Sequence, residues 1–362
     1  MLKSIIRNLI ESHYKKEGFY PGYGSSWLKE AMFEFKDSKL PIKDRLWALK
    51  RGFYPYRIDQ YGLNNDNYAQ MLSDRDYKML YPINNRYRTY IDDKLIMKYM
   101  LRPFDEYLPK YYFHLMENRK VMKLMDYDIP GEITYETILE FLKLKGNLAL
   151  KPVAGRFGVG FYLLSYSDGE FYINQKKKSV QEIYDFFDKL DDHIITEYVV
   201  MNEVISNIYP GSLNTIRVMV INEHGDDPYI PRAFMRIGTK KSGVVDNTAQ
   251  GGMFCKVDAQ TGRFYDGEKT NNHIISSVET HPDTGTVIEG IIPNWELVKE
   301  KLIEIANHIP QIEWMGFDIA ITEKGFNIIE INSHQGLHRY HTYPQDIKDY
   351  FNRKLEMKRS KK

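Results

Sequence analysis

A chain of 362 residues has room for two or three subdomains and a substantial core. Its 50 Lys and Arg stand against 49 Asp and Glu, a formal net charge of +1, so no global field argues for a nucleic-acid partner. Cys255 is the only cysteine, which excludes an internal disulfide and a cysteine-based metal site. Met1 to Lys16, broken by Lys3 and Arg7, is too short and too charged for a signal peptide or a membrane span, so the expectation is a cytoplasmic protein without stable membrane insertion.

Residues 1–90 read as a mainly helical region. Apolar residues recur at helical spacing in 2–16, 26–36 and 43–50, and turn residues cluster at Pro21-Gly22-Tyr23-Gly24 and Asn64-Asn65-Asp66. Ile5, Ile6, Leu9 and Ile10 form an apolar stripe expected to dock on the chain's own core, with membrane contact as the lesser option. Phe19, Tyr20, Tyr23 and Trp27 read as packing. The run 91–101 has the pattern of a helix capped by Asp92 or Asp93. Lys94 falls in its first turn, where a lysine opposes the helix dipole. An anionic ligand would explain it there, and so would plain solvation.

From Asn147 the period becomes that of strands. Leu148–Val153 carries Lys151 into the glycine-rich loop Gly155-Arg156-Phe157-Gly158-Val159-Gly160, and Phe161–Tyr166 leads out of it. Glycines there let backbone N–H groups approach phosphates closely, although three glycines in six residues also simply make a loop. The loop joins two strands and is neither a Walker A pattern nor a dinucleotide-binding turn, and its lysine precedes the glycines, unlike that of a protein kinase. Ser167–Glu170 reads as a tight turn before Phe171–Ile173. Ser179 and Glu182 form a capping-box pattern for a helix through about Leu190. Residues 193–200 read as a strand containing Glu197, Tyr198 and Val199. Residues 214–221 form an apolar strand with one arginine, Arg217, which needs an anionic partner, either a ligand or a structural carboxylate. Arg232 and Arg236 share one face of the strand 229–238. A loop, 239–252, ends in Asp246-Asn247-Thr248-Ala249-Gln250-Gly251-Gly252 before the strand 253–258. Asn294 is read as the cap of a helix over 295–308.

Gly316–Ile321 and Phe326–Asn332 read as a β-hairpin around Glu323-Lys324-Gly325. Pairing Thr322 with Phe326 places Asp318 opposite Glu330, and Asn332 points the same way. Two adjacent carboxylates repel and resist burial unless a cation neutralises them, and hard oxygen donors suit Mg²⁺ completed by phosphate oxygens. The hairpin thus reads as a Mg-nucleotide site or as a surface hairpin with unrelated acids. Ser333–Leu337 is a loop beside it, a helix follows over about 345–357, and the basic tail 358–362 is expected to fray.

Taken in order, these features resemble the ATP-grasp superfamily over residues 91–345. Asn-Thr-Ile-Arg, Arg-x-Gly, Asp-Asn-x-x-x-Gly-Gly and Glu-Ile-Asn, with Arg51-Gly52-Phe53, Tyr61-Gly62-Leu63 and Pro82-Ile83-Asn84, are similar to the branch called sugar-transfer associated ATP-grasp, found with surface-polysaccharide biosynthesis. The resemblance implies an α+β fold in which two lobes sandwich ATP: a small lobe over 91–200 and a large one over 201–345, after the helical region and before a C-terminal segment, 346–362. It implies ATP and Mg²⁺ as cofactors. Lys151 and Lys94 would contact phosphates, and Gly155, Arg156, Gly158 and Gly160 would close over them. Glu197, Tyr198 and Val199 would form the adenine and ribose hinge. Asp318, Glu330 and Asn332 would hold the metal, while Arg217 and Arg236 would steady the transferred phosphoryl group. Arg156 and Phe157 depart from the small residues expected in the loop. Arg232, Asn247, Gly251, Gly252, His334 and Gln335 are candidate substrate contacts or structural residues.

The activity this implies is a carboxylate–amine ligase, forming an amide through an acyl phosphate with release of ADP and phosphate, on a sugar acid or related carboxylate. Its partners would be small-molecule carboxylate and amine substrates. A kinase on the same scaffold, phosphorylating a sugar-type hydroxyl, is the alternative, and a nucleotide-binding regulator without turnover is a third. A homo-oligomer stays open.

Overall fold

Helices stand where the N-terminal sequence shows a 3.6-residue apolar period: in the computed structural model they span Leu2–Lys16, Tyr23–Asp37 and Ile42–Lys50. The structure describes residues 2–155, 158–271, 273–337 and 340–360. It divides into two compact units, Met1–Arg86 with Thr270–Ser276 and Ser333–Lys362, and Tyr87–Lys269 with Ser277–Asn332.

In the first unit, Trp27, Ala31, Ala48 and Phe53 are buried, together with Met79 and Leu80 of the helix Asp74–Leu80. Ser73 caps that helix by accepting from Asp76 N at 3.0 Å. A buried pair, Arg57 with Asp74 at 2.8 Å, is closed by Tyr54 N donating to Asp74 Oδ2. The last helix runs Gln345–Ser360, so Lys358 and Arg359 are ordered rather than frayed. Two contacts account for the correction: Lys358 Nζ donates to Tyr81 O at 2.9 Å, and Arg359 pairs with Asp76 at 2.6 Å. This helix groups with the N-terminal helices. The stripe on the first helix also departs from expectation. Ile6 is 49% and Leu9 66% exposed, Ile10 is half-buried, the Ile5 side chain lies outside the described ones, and among the described side chains of that helix Tyr14 is the buried one.

The strands form two sheets, all in the second unit except residues 270–271 and 274–276, which group with the first. Tyr111–Leu115 (β1), Val121–Lys123 (β2), Asn147–Pro152 (β3), Tyr162–Ser167 (β4), Glu170–Ile173 (β5), Lys176–Lys178 (β6) and His193–Glu197 (β7) form a seven-stranded antiparallel sheet. Its order is β2-β1-β7-β3-β4-β5-β6. The second sheet comprises Ile216–Ile221 (β8), Tyr229–Ile237 (β9), Met253–Val257 (β10), Arg263–Asn271 (β11), Ile274–Val278 (β12), Gly290–Ile291 (β13), Trp314–Thr322 (β14) and Gly325–Asn332 (β15). Its order is β12-β11-β10-β9-β8-β14-β15, with β13 on β11.

Each sheet buries one set of helices. Tyr135–Lys145, held by a Thr134–Thr137 capping box, and Val180–Phe187, held by the expected Ser179–Glu182 box, cover the first sheet. Ile138, Leu142, Ile183 and Phe187 meet Phe113, Leu148, Leu150 and Ile195 there. Trp295–His308 lays Val298, Leu302 and Ile305 on Val218, Val220, Phe317 and Ile319 of the second. Asn294 precedes that helix in a left-handed conformation, φ 57°, and makes no side-chain cap, contrary to the sequence reading. β7 ends at Glu197, short of the expected Val200. β8 and β14 are interior strands, buried on both faces, which explains their nearly unbroken apolar sequence. Cys255 lies fully buried in this core, where burial pushes its thiol up, as suits an apolar filler.

Candidate functional site

The β14–β15 hairpin pairs Asp318 with Glu330 and Gly316 with Asn332. It does so by a different route from the one the turn suggests. Thr322 pairs with Gly325 rather than Phe326, which by itself would put Ile329 opposite Asp318. A one-residue bulge at Ile329 restores the Asp318–Glu330 pair. Asp318 is fully buried, whereas Glu330 keeps 26% of its side chain exposed. Asn332 Nδ2 bridges them, 3.3 Å from Asp318 Oδ2 and 3.2 Å from Glu330 Oε1. Burial pushes the Glu330 carboxyl above its ordinary range; Asp318 pushes it further and Lys94 opposes both.

Two lysines close on this edge. Lys94 opens the helix Lys94–Met100, whose cap is Asp93, accepting from Ile96 N at 2.9 Å. Lys94 N donates to Val153 O at 3.1 Å, which ties the helix to the chain leaving β3. Its Nζ lies 3.7 Å from Glu330 Oε2, so a carboxylate, rather than the dipole of a short helix, offsets the charge. Lys151, on β3, is buried with Nζ 3.5 Å from the carbonyl of the bulged Ile329 and 5.5 Å from the Tyr111 ring centroid. Burial, then Lys94, lower its ammonium to about 7, with Glu330 pulling the other way. A cavity of about 280 Å³ opens in front, lined among others by Asp92, Lys94, Ala154, Gly155, Glu330 and Asn332.

Behind the carboxylates the arginines form a buried lattice. Arg217 Nε and Nη2 grip Asp318 from β8, the latter at 2.8 Å. Arg236 Nη2 reaches Asp318 Oδ2 from β9 at 2.9 Å and bonds Thr215 Oγ1 at 2.7 Å. Asp246 accepts from Thr215 N and Oγ1 and lies 3.5 Å from Arg236. Burial by itself would raise the Asp318 carboxyl; Arg217 and Arg236 overcome it and hold the group well below the carboxylate range.

The loop candidates shape the backbone. Asn247 caps the turn Thr248–Gln250 through Ala249 N. Gly251 has φ +107°, and a Cβ on Gly252 would lie 2.5 Å from Asp246 O, so both glycines serve the close turn that presents Asp246. Gly158 and Gly160 are left-handed, at φ +67° and +80°. Arg156 and Phe157 lie outside the described residues. Glu197 accepts from Lys110 N at 3.1 Å and donates its own N–H to Lys110 O at 2.8 Å, which locks the end of β7 to the start of β1. Val199 is buried and Tyr198 half-buried. Arg232, half-buried, stands opposite Met219. His334 and Gln335 belong to the first unit, where His334 stacks on Tyr77 at 4.4 Å and Tyr77 OH donates to Gln335 O at 3.2 Å.

The family model described as sugar-transfer associated ATP-grasp matches residues 74–342. The chain belongs to this family. No curated protein matches it. Among solved structures it is similar to the ATP-grasp ligase PsnB complexed with minimal precursor, Mg and ADP, at 12% identity, 75% of this chain, 61% of that one and a TM-score of 0.37. It is similar also to the D-alanine–D-alanine ligase from Bacillus anthracis, at 14%, 75%, 66% and 0.37. A third is the D-alanyl-alanine synthetase A from Vibrio cholerae O1 biovar eltor, at 12%, 75%, 65% and 0.41. The chain thus spans less than two thirds of the length of each.

In this ATP-grasp chain the donor set fits a hard divalent cation. Glu330 and Asn332 present oxygens at the cavity wall, and the raised Glu330 carboxyl marks a site short of positive charge. With Nδ2 committed to Asp318 and Glu330, the Asn332 amide keeps its oxygen on the side away from both carboxylates. Among the described residues no group of three or more His, Cys, Asp or Glu forms a complete cage, so phosphate oxygens and water would supply the other ligands.

Sequence reasoning missed three supporting residues. Asp246 and Thr215 each stood in a motif, Asp-Asn-x-x-x-Gly-Gly and Asn-Thr-Ile-Arg, but were given no role. Lys98, fully buried one turn beyond Lys94, pairs with Asp105 and with Asp126 at 3.1 Å and donates to Pro109 O at 3.0 Å. Its spacing from Lys94 was the available clue.

Proposed function

We propose that this chain is an ATP- and Mg²⁺-dependent carboxylate–amine ligase. The γ-phosphoryl group passes to a carboxylate, ADP leaves, and an amine displaces phosphate from the acyl phosphate to form an amide. The observation that carries this is the convergence of Lys94, Glu330 and Asn332 on the lining of one cavity beside Gly155, with Lys151 buried against the carbonyl of Ile329 next to them, in a chain of this family. Phosphoryl transfer asks the protein for positioning and charge rather than covalent chemistry. Glu330 and Asn332, with Asp318 behind them, would hold Mg²⁺, which when bound supplies charge neutralisation between phosphates. Lys94 and Lys151 bind phosphate oxygens, Arg217 and Arg236 steady the transferred phosphoryl group from behind the carboxylates, and Glu197 to Val199 line the base and ribose. Closure of the 155–160 loop keeps water from the acyl phosphate. The carboxylate is a sugar acid or a relative of one, which suits a family described as sugar-transfer associated, and its setting is surface-polysaccharide biosynthesis.

Hydroxylamine trapping tests this reading. Mg-ATP, a panel of uronic acids with their nucleotide conjugates and amino acids, and hydroxylamine are supplied together. Hydroxamate appearing with ADP is the expected result. ADP with a stable phosphorylated product and no hydroxamate would transfer the assignment to a kinase.

The nucleotide also has a pH signature. Lys151 sits among Lys94, Lys98, Glu330 and Tyr111, and its ammonium titrates near 7 in the free protein. A bound polyphosphate restores the charge. Nucleotide binding at pH 8 to 9 is therefore expected to take up close to one proton, falling away below about pH 6 where Lys151 is already charged. Calorimetry in buffers of different ionisation enthalpy measures it. Heats independent of buffer at pH 8 would show that Lys151 starts out protonated.

A further inference from the structure

Asp318 is the most conspicuous carboxylate of the hairpin, yet its two oxygens are spoken for. Oδ2 receives Arg217 Nη2 at 2.8 Å, Arg236 Nη2 at 2.9 Å and Asn332 Nδ2 at 3.3 Å, and Oδ1 receives Arg217 Nε. An ionised carboxylate offers about four acceptor positions, so this one is close to saturated. It is fully buried, and a divalent ion bound to it directly would sit against two guanidinium groups with little water between to screen them. Glu330 differs on each count. It is partly exposed, lines the cavity, and has its nearest cation at 3.7 Å.

The arginines, for their part, are held as an instrument would be. Asp318 fixes both, and Thr215, just before β8, with Asp246 from the 239–252 loop fixes Arg236 a second time. Among the described residues, Nη1 of neither arginine has a hydrogen-bond partner. Planar, permanently charged donors of this kind match phosphate oxygens in pairs.

We propose that this chain works with a single divalent ion, held by Glu330 and Asn332, and that Arg217 and Arg236, anchored by Asp318, stand in the place of a second one at the phosphates. Asp318 is then a positioning residue that acts through the arginines. The proposal rests on the reading of the site as one for Mg-ATP. It accounts for a charge pattern that a two-metal site would not tolerate: two arginines and Lys94 already face the two carboxylates of the hairpin.

The test uses the whole wild-type chain, Mn²⁺ as the metal probe, and the non-hydrolysable β,γ-imido analogue of ATP at saturation. Free and bound Mn²⁺ are counted by electron paramagnetic resonance. One bound Mn²⁺ per bound nucleotide, with a spectrum free of spin coupling, is expected, and Glu330→Gln should weaken it at least tenfold. Two Mn²⁺ per nucleotide, or a coupled pair, would overturn the single-ion proposal while leaving the nucleotide site intact. Undiminished Mn²⁺ affinity in Glu330→Gln would overturn the assignment of the ligand. Failure of the analogue to bind at all, measured separately by its fluorescence-labelled form, would overturn the functional reading on which the proposal rests.

Discussion

Glu330→Gln is expected to fold normally and to lose ATP turnover by about three orders of magnitude. A bound cation contributes several kcal/mol to a phosphoryl-transfer transition state, and each ~1.4 kcal/mol is a factor of about ten. Glutamine keeps the shape of the side chain but offers a weak neutral oxygen in place of an anionic one. Folding should not suffer. The Glu330 carboxyl is held above its ordinary range by burial and by Asp318, so its charge costs stability in the ligand-free protein. A neutral amide removes that cost, and the melting temperature should stay level or rise slightly. Steady-state ADP release beside a thermal melt reads both effects. Turnover within tenfold of wild type in a folded variant would show that Glu330 does not bind the metal.

Asp318→Asn is expected to do the opposite to the fold. The substitution is nearly isosteric, but it withdraws the counter-charge from two buried guanidinium groups. Removing one partner of a buried ion pair typically costs about 3–5 kcal/mol. Arg236 retains Asp246 at 3.5 Å, which places the expectation at the lower end; among the described residues Arg217 has no other carboxylate. The sign of the pH effect follows from the direction of the shift. Asp318 is depressed in the folded state, so its contribution is complete above the ordinary Asp range and is lost only as pH falls through its lowered value. The gap between wild type and variant should thus persist well into acid. Denaturant unfolding across pH measures it, taking the transition that the variant moves, since two units need not unfold as one. A loss under about 1 kcal/mol would mean that the arginines do not depend on Asp318.

The two residues face each other across one ladder and read identically in sequence, as apolar-flanked acids. What separates them is position in the sheet. β14 lies between β8 and β15, so its side chains meet neighbours from both sides, whereas β15 is an edge strand of the sheet. The arginines come from β8 and β9, about a hundred residues earlier for Arg217. Such a partner carries no local signal.

The hairpin shows how a correct pair can rest on a wrong register. Reading Thr322 against Phe326 without a bulge reaches Asp318 and Glu330; pairing Thr322 with Gly325 and inserting Ile329 reaches the same place. The two one-residue differences cancel. A bulge depends on what the extra carbonyl finds to bond, here the Lys151 ammonium at 3.5 Å from a strand of the other sheet. Asn294 and the C-terminal tail are similar cases. Local composition suggested a cap and a fray, while a left-handed backbone at Asn294 and contacts to Tyr81 and Asp76 decided otherwise.

What the sequence determined by itself was whatever depends on near neighbours. Helical periods, a cap at Asp92 or Asp93, the Ser179–Glu182 capping box, the strand lysine entering a glycine-rich loop and the ordered acids of the hairpin all arise within a few residues of one another. Together they sufficed for the family, which the match over residues 74–342 bears out. The tertiary structure alone decided which charges meet. It paired Arg217 and Arg236 with Asp318, brought Asp246 in through Thr215, set Lys94 rather than an arginine beside Glu330, and enclosed Lys98 among Asp105, Asp126 and Pro109. The physical reason is that a buried charge is stable only with its partner in place, and partners drawn from separate strands are chosen by sheet order and not by spacing along the chain.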